Sequence, residues 1–206
     1  RYGLHISRQN MANWTIQCAD RYLAVLYDYL HEKLYEYRVL QADETPVLVN
    51  KDGRPAGSKS YMWVYRTGRM YADRQIVLYE YQGTRNASHP REFLRNFNGT
   101  CVTDGYQVYH TIGNEREDLR IAGCWSHARR RFDEAVKALP KAKRKDSRAY
   151  LALTMIQAIY REEKQLKDLP AEERKNRRQL SVRPVVEAYF AWAKENMPKV
   201  PGKSKT

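Results

Sequence analysis

An α/β domain is what this sequence predicts, and three observations carry that expectation. Residues 60–67 and 75–82 are short runs rich in aromatic and β-branched side chains, bounded by polar turns, which is how strands read. From residue 88 onward, strand-like runs alternate with helical ones, the rhythm of parallel strands with helices on their faces. A chain of 206 residues with 42% apolar residues, 16 tyrosines and 4 tryptophans has the material for a substantial core.

Residues 1–37 read as helix. Ser7 is placed to cap a first turn. Met11, Trp14, Ile16, Cys18, Tyr22, Leu23, Val25, Leu26, Tyr29, Leu30, Leu34 and Tyr37 then recur mostly at three- and four-residue steps. The pattern predicts an amphipathic helix, or two, packing on a body. The tail of a DNA-binding domain lying upstream is the alternative.

Strands follow. In residues 39–46 an apolar run delivers two carboxylates, Asp43 and Glu44, and Pro46 is expected to stop the strand pairing just beyond them. The strand could resume over 47–49. Lys51-Asp52-Gly53-Arg54 reads as a turn. With 60–67 and 75–82 this makes three consecutive strands on short links, an antiparallel meander.

Ser88 is expected to cap a short helix carrying Pro90 in its first turn, with Phe93, Leu94 and Phe97 buried and Gly99 ending it. Residues 100–103 form a strand that stops at Asp104-Gly105-Tyr106. A brief helix through His110 and a fifth strand over 119–124 come next. The order is three strands, helix, strand, helix, strand, helix. That is the order of an RNase H-like domain: a mixed sheet of about five strands with flanking helices.

From 125 to 139 the chain is helical, with Trp125, Ala128, Phe132, Ala135, Val136 and Leu139 in one stripe. His127, Arg130, Arg131 and Glu134 fall on another face. A basic link (140–145) leads to a helix over 147–169 with Leu151, Met155, Ile159 and Leu166 on one side. Pro170 opens a helix continuing to 180, Pro184 interrupts it, and a last helix over 185–196 carries Val186, Tyr189, Phe190 and Trp192. The domains read as a helical element (1–38), a partial RNase H-like catalytic core (39–139), a basic helical insertion (140–197) and a loose basic tail (198–206). The chain looks like a piece of something longer.

The formal net charge is +13, which points to a polyanion partner, since clustered Lys and Arg gain affinity by displacing counterions from phosphates. The bias is uneven: residues 141–206 hold 17 Lys and Arg against 8 Asp and Glu, while residues 1–140 hold 20 against 16. No apolar run is long enough to span a bilayer, and the N-terminus lacks the apolar core of a signal peptide. Cys18, Cys101 and Cys124 form no disulfide framework by count or spacing. A cytoplasmic setting with no membrane partner is the expectation.

Asp43 and Asp104 each end a short strand in this reading, and the first and fourth strands are neighbours in a sheet of that order. Two carboxylates at adjacent strand ends can share a divalent cation. Two such ions can activate a water and stabilise the leaving oxygen of a phosphodiester. Taken alone, Asp104-Gly105 is also an ordinary turn. Cys124-x-x-His127 has the spacing of half a zinc site, with no second pair nearby. Arg129–Arg131 could contact phosphates or form a solvated helix face. Trp63 and Tyr65 alternate with Met62 and Val64, which favours core packing over base stacking.

The segments Ala42-Asp43-Glu44-Thr45-Pro46, Tyr61-Met62-Trp63-Val64-Tyr65, Thr103-Asp104-Gly105-Tyr106 and Ala122-Gly123-Cys124-Trp125-Ser126-His127-Ala128-Arg129-Arg130-Arg131-Phe132 follow one another as in the insertion-sequence-66 type of transposase. Met11-Ala12-Asn13-Trp14 also resembles the element that precedes their catalytic core. The likeness covers roughly residues 1–197. The resemblance implies a DDE-type recombinase using Mg2+ or Mn2+, with Asp43 and Asp104 as its first two acids and metal ligands. Glu44 and Tyr106 would support them, and His127, Arg129, Arg130 and Arg131 would face DNA. The family's third acid, a glutamate, matches no residue here, so the chain is expected not to cleave DNA alone. Transposon ends and target DNA are the implied partners, with a homo-oligomer and accessory transposition proteins expected beside them. A non-catalytic DNA-binding protein derived from such an enzyme, or another RNase H-like nuclease, are the rival readings.

Overall fold

The structure of the protein, a computed structural model, describes residues 3, 5–49, 53–55, 57–71 and 73–200. The chain divides into two compact units, Arg1–Gly123 and Cys124–Thr206, and each is described by itself.

The first unit opens on a long helix. Helix α1 (Arg8–Cys18) runs through a π-helical turn (Ala19–Leu23) into α2 (Ala24–Leu34). Ser7 caps it as expected, its hydroxyl accepting from the Asn10 amide at 3.1 Å. The last turns of α2 are anchored. Leu34 is fully buried, His31 Nε2 lies 3.1 Å from the Phe93 carbonyl, and the Tyr35 hydroxyl donates to that same oxygen. The beginning of the helix is different: α1 buries no residue. The expectation that the whole amphipathic stripe packs on the body therefore fails for α1.

The sheet contains β1 (Val39–Leu48), β2 (Lys59–Thr67), β3 (Val77–Gln82), β4 (Gly99–Thr103) and β5 (Leu119–Gly123), in the spatial order β3-β2-β1-β4-β5. The first three strands form the expected antiparallel meander. β4 pairs parallel with β1, and β5 parallel with β4. This mixed sheet with flanking helices is RNase H-like. The expected stop at Pro46 does not occur: β1 pairs with β2 through Pro46↔Tyr61 as far as Leu48↔Lys59. The reason is that β4 accompanies β1 only over Val39–Gln41. At Pro46 that side of β1 is an edge, where a missing N–H costs nothing. The Lys51-Asp52 half of the expected turn lies outside the described residues.

The core covers one face of the sheet. Leu40, Trp63, Tyr65, Leu94, Phe97, Cys101, Tyr109 and Ile112 are essentially inaccessible to solvent. Their helices are α3 (Ser88–Phe93) and α4 (Gln107–Asn114). Tyr65 stacks on Phe93 with ring centroids 3.4 Å apart. At the start of α3 the capping acceptor is Asn86, whose side chain takes the Ser88 amide at 2.9 Å, so Ser88 is capped rather than capping. Gly99 opens β4 instead of closing a helix. A Cβ there would stand 2.5 Å from the Arg38 carbonyl oxygen and 2.9 Å from the Phe97 ring.

The second unit is helical: α5 (Trp125–Ala138), α6 (Arg148–Gln165), α7 (Ala171–Arg177) and α8 (Arg183–Asn196). Ala152, Ile156, Ile159, Leu166, Val182 and Tyr189 form its core, with Trp125, Ala128 and Phe132 packed against it. Of the expected stripe, Ile159 and Leu166 are buried and Met155 is half-buried, but Leu151 is exposed; Ala152, Leu153 and Ile156 complete the α6 face. Pro184 does not break the helix. A π turn (Arg178–Val182) precedes it, and α8 begins with the proline in its first turn, where its absent N–H is harmless. Arg144 in the basic link donates to the Leu139 and Lys137 carbonyls at 2.9 and 3.0 Å. Arg178 forks onto Glu163 at 2.8 and 2.7 Å. Some of the positive charge is therefore committed to structure.

Gly99→Ala is expected to destabilise the first unit by about 1–3 kcal/mol, because the backbone of Arg38 cannot yield to a methyl group. A lowered urea midpoint in chemical denaturation is the readout.

Candidate active site

The geometry of the site follows from strand register. In β1, Leu40, Ala42 and Glu44 are buried while Asp43 is exposed. In β4, Cys101 and Thr103 are buried. Side chains alternate across a strand, so the β1 carboxylates lie on opposite faces. Leu40 pairs with Cys101 and Gln41 with Val102. Carried two residues further, the same parallel register sets Asp43 level with Asp104, on the face away from the core. Asp104 is the first residue after β4. Its Oδ1 accepts from the Tyr106 amide at 2.9 Å, with Gly105 at φ 89° between them. This turn ends the strand and holds the carboxylate at the rim. Asp43 Oδ1 accepts from the Glu44 amide at 3.0 Å.

Glu44 points inward, and its side chain is 1% exposed. Arg85, in the loop between β3 and α3, donates to Glu44 Oε1 through Nε at 2.7 Å and through a second N–H. The Tyr109 hydroxyl of α4 donates to Glu44 Oε2 at 3.4 Å. Tyr106 locks the arginine: its ring lies under the guanidinium, 3.8 Å away, and its hydroxyl donates to the Arg85 carbonyl at 3.0 Å. Burial pushes the Glu44 carboxyl above its ordinary range. Arg85 pulls it back, and the Asp104 and Asp43 carboxylates add to the rise. Desolvation works against the charge of Arg85, but Glu44 outweighs it and the guanidinium pKa is raised, with Asp104 contributing. Asp43, Glu44, Arg85, Asp104, Tyr106 and Tyr109 therefore share one electrostatic neighbourhood.

Among the described residues, no group of three or more His, Cys, Asp or Glu side chains is arranged to hold a metal ion. The chain offers two rim aspartates, which suit part of the oxygen shell of a hard cation, while Glu44 is turned away and tied to Arg85. His127, Arg129, Arg130 and Arg131 lie on α5, in the second unit. Arg129, Arg130 and Arg131 are exposed, and His127, in the first turn, is half-buried. Arg129 is near enough to Tyr160 to oppose the rise that burial gives its phenol. Cys124 stands at the start of α5 and is half-buried; Cys101 is fully buried, its thiol pushed up to about 12. Sequence reasoning missed Arg85 and Tyr109. Tyr109, one helical turn after Tyr106, carried a periodicity signal; Arg85, alone in a loop, carried none.

Asp104 follows the end of β4, whereas Asp43, expected at a strand end, lies within β1, paired with Val64. The sheet defines the fold class, an RNase H-like α/β domain. The comparisons with known proteins narrow it. The family model described as Transposase IS66 family matches residues 1–206, and the chain belongs to that family. It is 30% identical to the uncharacterized protein y4qI of Sinorhizobium fredii, over 100% of this chain and 39% of that protein. It is 28% identical to the uncharacterized protein y4jD of the same organism, over 90% of this chain and 37% of that protein. The chain thus spans about two fifths of the length of the curated relatives it matches. Among the described residues no helix is long and apolar enough to cross a membrane.

Two outcomes are expected of this cluster. Asp104→Asn removes a nearby anion, so the Glu44 carboxyl titrates at lower pH, as carboxyl carbon NMR shifts would show. Arg85→Ala moves that titration up and destabilises the unit by about 1–3 kcal/mol, a buried-pair loss discounted for the arginine's partial exposure. The sign of the pH effect is fixed by the raised pKa. Glu44's contribution to stability is complete below its ordinary value of 4.5 and is lost as pH rises through its folded value. Arg85→Ala shifts that loss to higher pH, measurable as urea midpoints across the acid range.

Proposed function

We propose that this chain supplies the first two acids, Asp43 and Asp104, of a DDE-type transposase that cuts and joins DNA strands. The observation that supports the reading is the β1–β4 register, Gln41↔Val102, which, carried two residues further, would set the two aspartates level. Mg2+ or Mn2+ is the cofactor such a pair would hold. When bound, such an ion polarises a phosphodiester and makes water nucleophilic at neutral pH. Asp43 and Asp104 would anchor it from two strands, each carboxylate oriented by a backbone amide. Glu44 stays behind the sheet as the fixed counter-charge of Arg85, which holds the β3–α3 loop against Tyr106. We assign no third acid within this chain. Arg129, Arg130 and Arg131, with His127 at the start of the same helix, would meet DNA phosphates. Transposon ends and target DNA are the substrates of the full-length protein in this reading.

In the full-length protein, Asp43→Asn and Asp104→Asn are each expected to lower DNA strand cleavage by about 100-fold or more, the loss that even outer-sphere partners of a metal can cause. Calorimetric Mn2+ binding to the present chain should vanish in both variants. Unchanged cleavage by Asp43→Asn would overturn the assignment and leave a DNA-binding role. Replacing Arg129, Arg130 and Arg131 with alanine should weaken DNA binding and reduce the salt slope by about 0.9 for each phosphate no longer neutralised, as fluorescence anisotropy over a salt series would report.

A further inference from the structure

The N-terminal helix carries an exposed apolar seam with an internal symmetry. Met11, Trp14, Tyr22, Leu26 and Tyr29 are each between 49% and 67% exposed, and Cys18 among them is exposed too. These six residues follow one another at steps of three, four, four, four and three. The middle step, Cys18 to Tyr22, crosses the π-helical turn Ala19–Leu23. A π turn inserts one residue, so four residues there advance the chain as three would in an α-helix. The seam is then a regular three-four alternation, the spacing by which one helix packs along another. The anchored side of α2, with Leu34 and His31, is a different face.

The seam also reads the same in both directions. Met11 and Tyr29, Trp14 and Leu26, Cys18 and Tyr22 are equidistant from Asp20. A second helix laid antiparallel, centred on that residue, puts every seam side chain opposite another. Charge agrees: α1 carries Arg8 and no acid, whereas α2 carries Asp28 and Glu32 with Lys33. Antiparallel pairing brings the basic end of one helix beside the acidic end of the other, and it opposes the two helix dipoles.

We propose that this seam is a dimerisation surface, and that its occupant is the same helix of a second copy of this chain, running antiparallel about Asp20. The layers are Met11 on Tyr29, Trp14 on Leu26 and Cys18 on Tyr22 of the second copy. The π turn keeps the two halves of the seam on one line, and the isologous contact closes on itself as a two-fold dimer. Two catalytic units joined this way would be coupled through their first element. The surface is independent of Asp43 and Asp104, so the dimer stands or falls apart from the chemistry proposed for them.

Light scattering of the purified protein should give twice the 24.3 kDa of one chain. Trp14→Glu with Leu26→Glu should give a single-chain mass with unchanged far-ultraviolet circular dichroism, because both side chains are exposed in the isolated chain, and a thermal midpoint that no longer depends on protein concentration. In a Cys18→Ser background, a short bis-maleimide should join two copies carrying both Met11→Cys and Tyr29→Cys. It should fail on copies carrying Met11→Cys alone, whose thiols stand roughly 27 Å apart along an antiparallel pair. A monomer for the unaltered protein, or a dimer indifferent to the two glutamates, overturns the proposal. Efficient cross-linking through Met11→Cys alone overturns the antiparallel arrangement.

Discussion

The arrangement of the first unit depends on one constraint: β1 has two neighbours of unequal reach. β2 follows it antiparallel along its length, from Leu40↔Thr67 to Leu48↔Lys59. β4 follows it in parallel for only Val39, Gln41 and the residue between. Where β4 turns away, at Asp104-Gly105, one side of β1 becomes an edge. That edge accepts Pro46, and the parallel register carried past Gln41↔Val102 sets Asp43 level with Asp104. Full pairing there would have excluded the proline and closed the rim.

The carboxylate behind the rim explains how the site keeps its shape. A buried Glu44 is unfavourable by itself, and a half-exposed Arg85 offsets only part of that penalty. The pair nevertheless ties a strand, a loop and a helix to one point, through Arg85, Tyr106 and Tyr109. Glu44 holds a fixed place because it is hydrogen-bonded on both oxygens. Asp43, one residue earlier, faces the other way and remains accessible. Strand alternation thus separates a structural carboxylate from an available one within a dipeptide.

Periodicity was informative and ambiguous at once. In α5 and α8 it marked residues that pack together, such as Trp125 against Tyr189 with ring centroids 5.1 Å apart. In α1 the same spacing marked residues that remain at the surface. A three-four repeat states that a face is apolar and does not state what covers it. In α6 the stripe was one residue out of phase at Leu151, where the buried residue is Ala152 instead.

The sequence by itself determined the strand–helix order, the antiparallel meander, the Ser7 cap, and Asp104 at the end of β4; Asp43 it placed at a strand end, whereas β1 continues past it to Leu48. These are local signals of composition, spacing and turn chemistry, carried within a few residues of each element. Only the tertiary structure decided that β1 runs through Pro46, that Asn86 rather than Ser88 caps α3, and that Glu44 is held by Arg85 and Tyr109. Each of those outcomes turns on a partner brought from elsewhere: a neighbouring strand that ends early, a loop side chain, an arginine 41 residues away. Contacts of that range leave no trace in spacing, because the energy that selects them arises only when the chain has closed on itself.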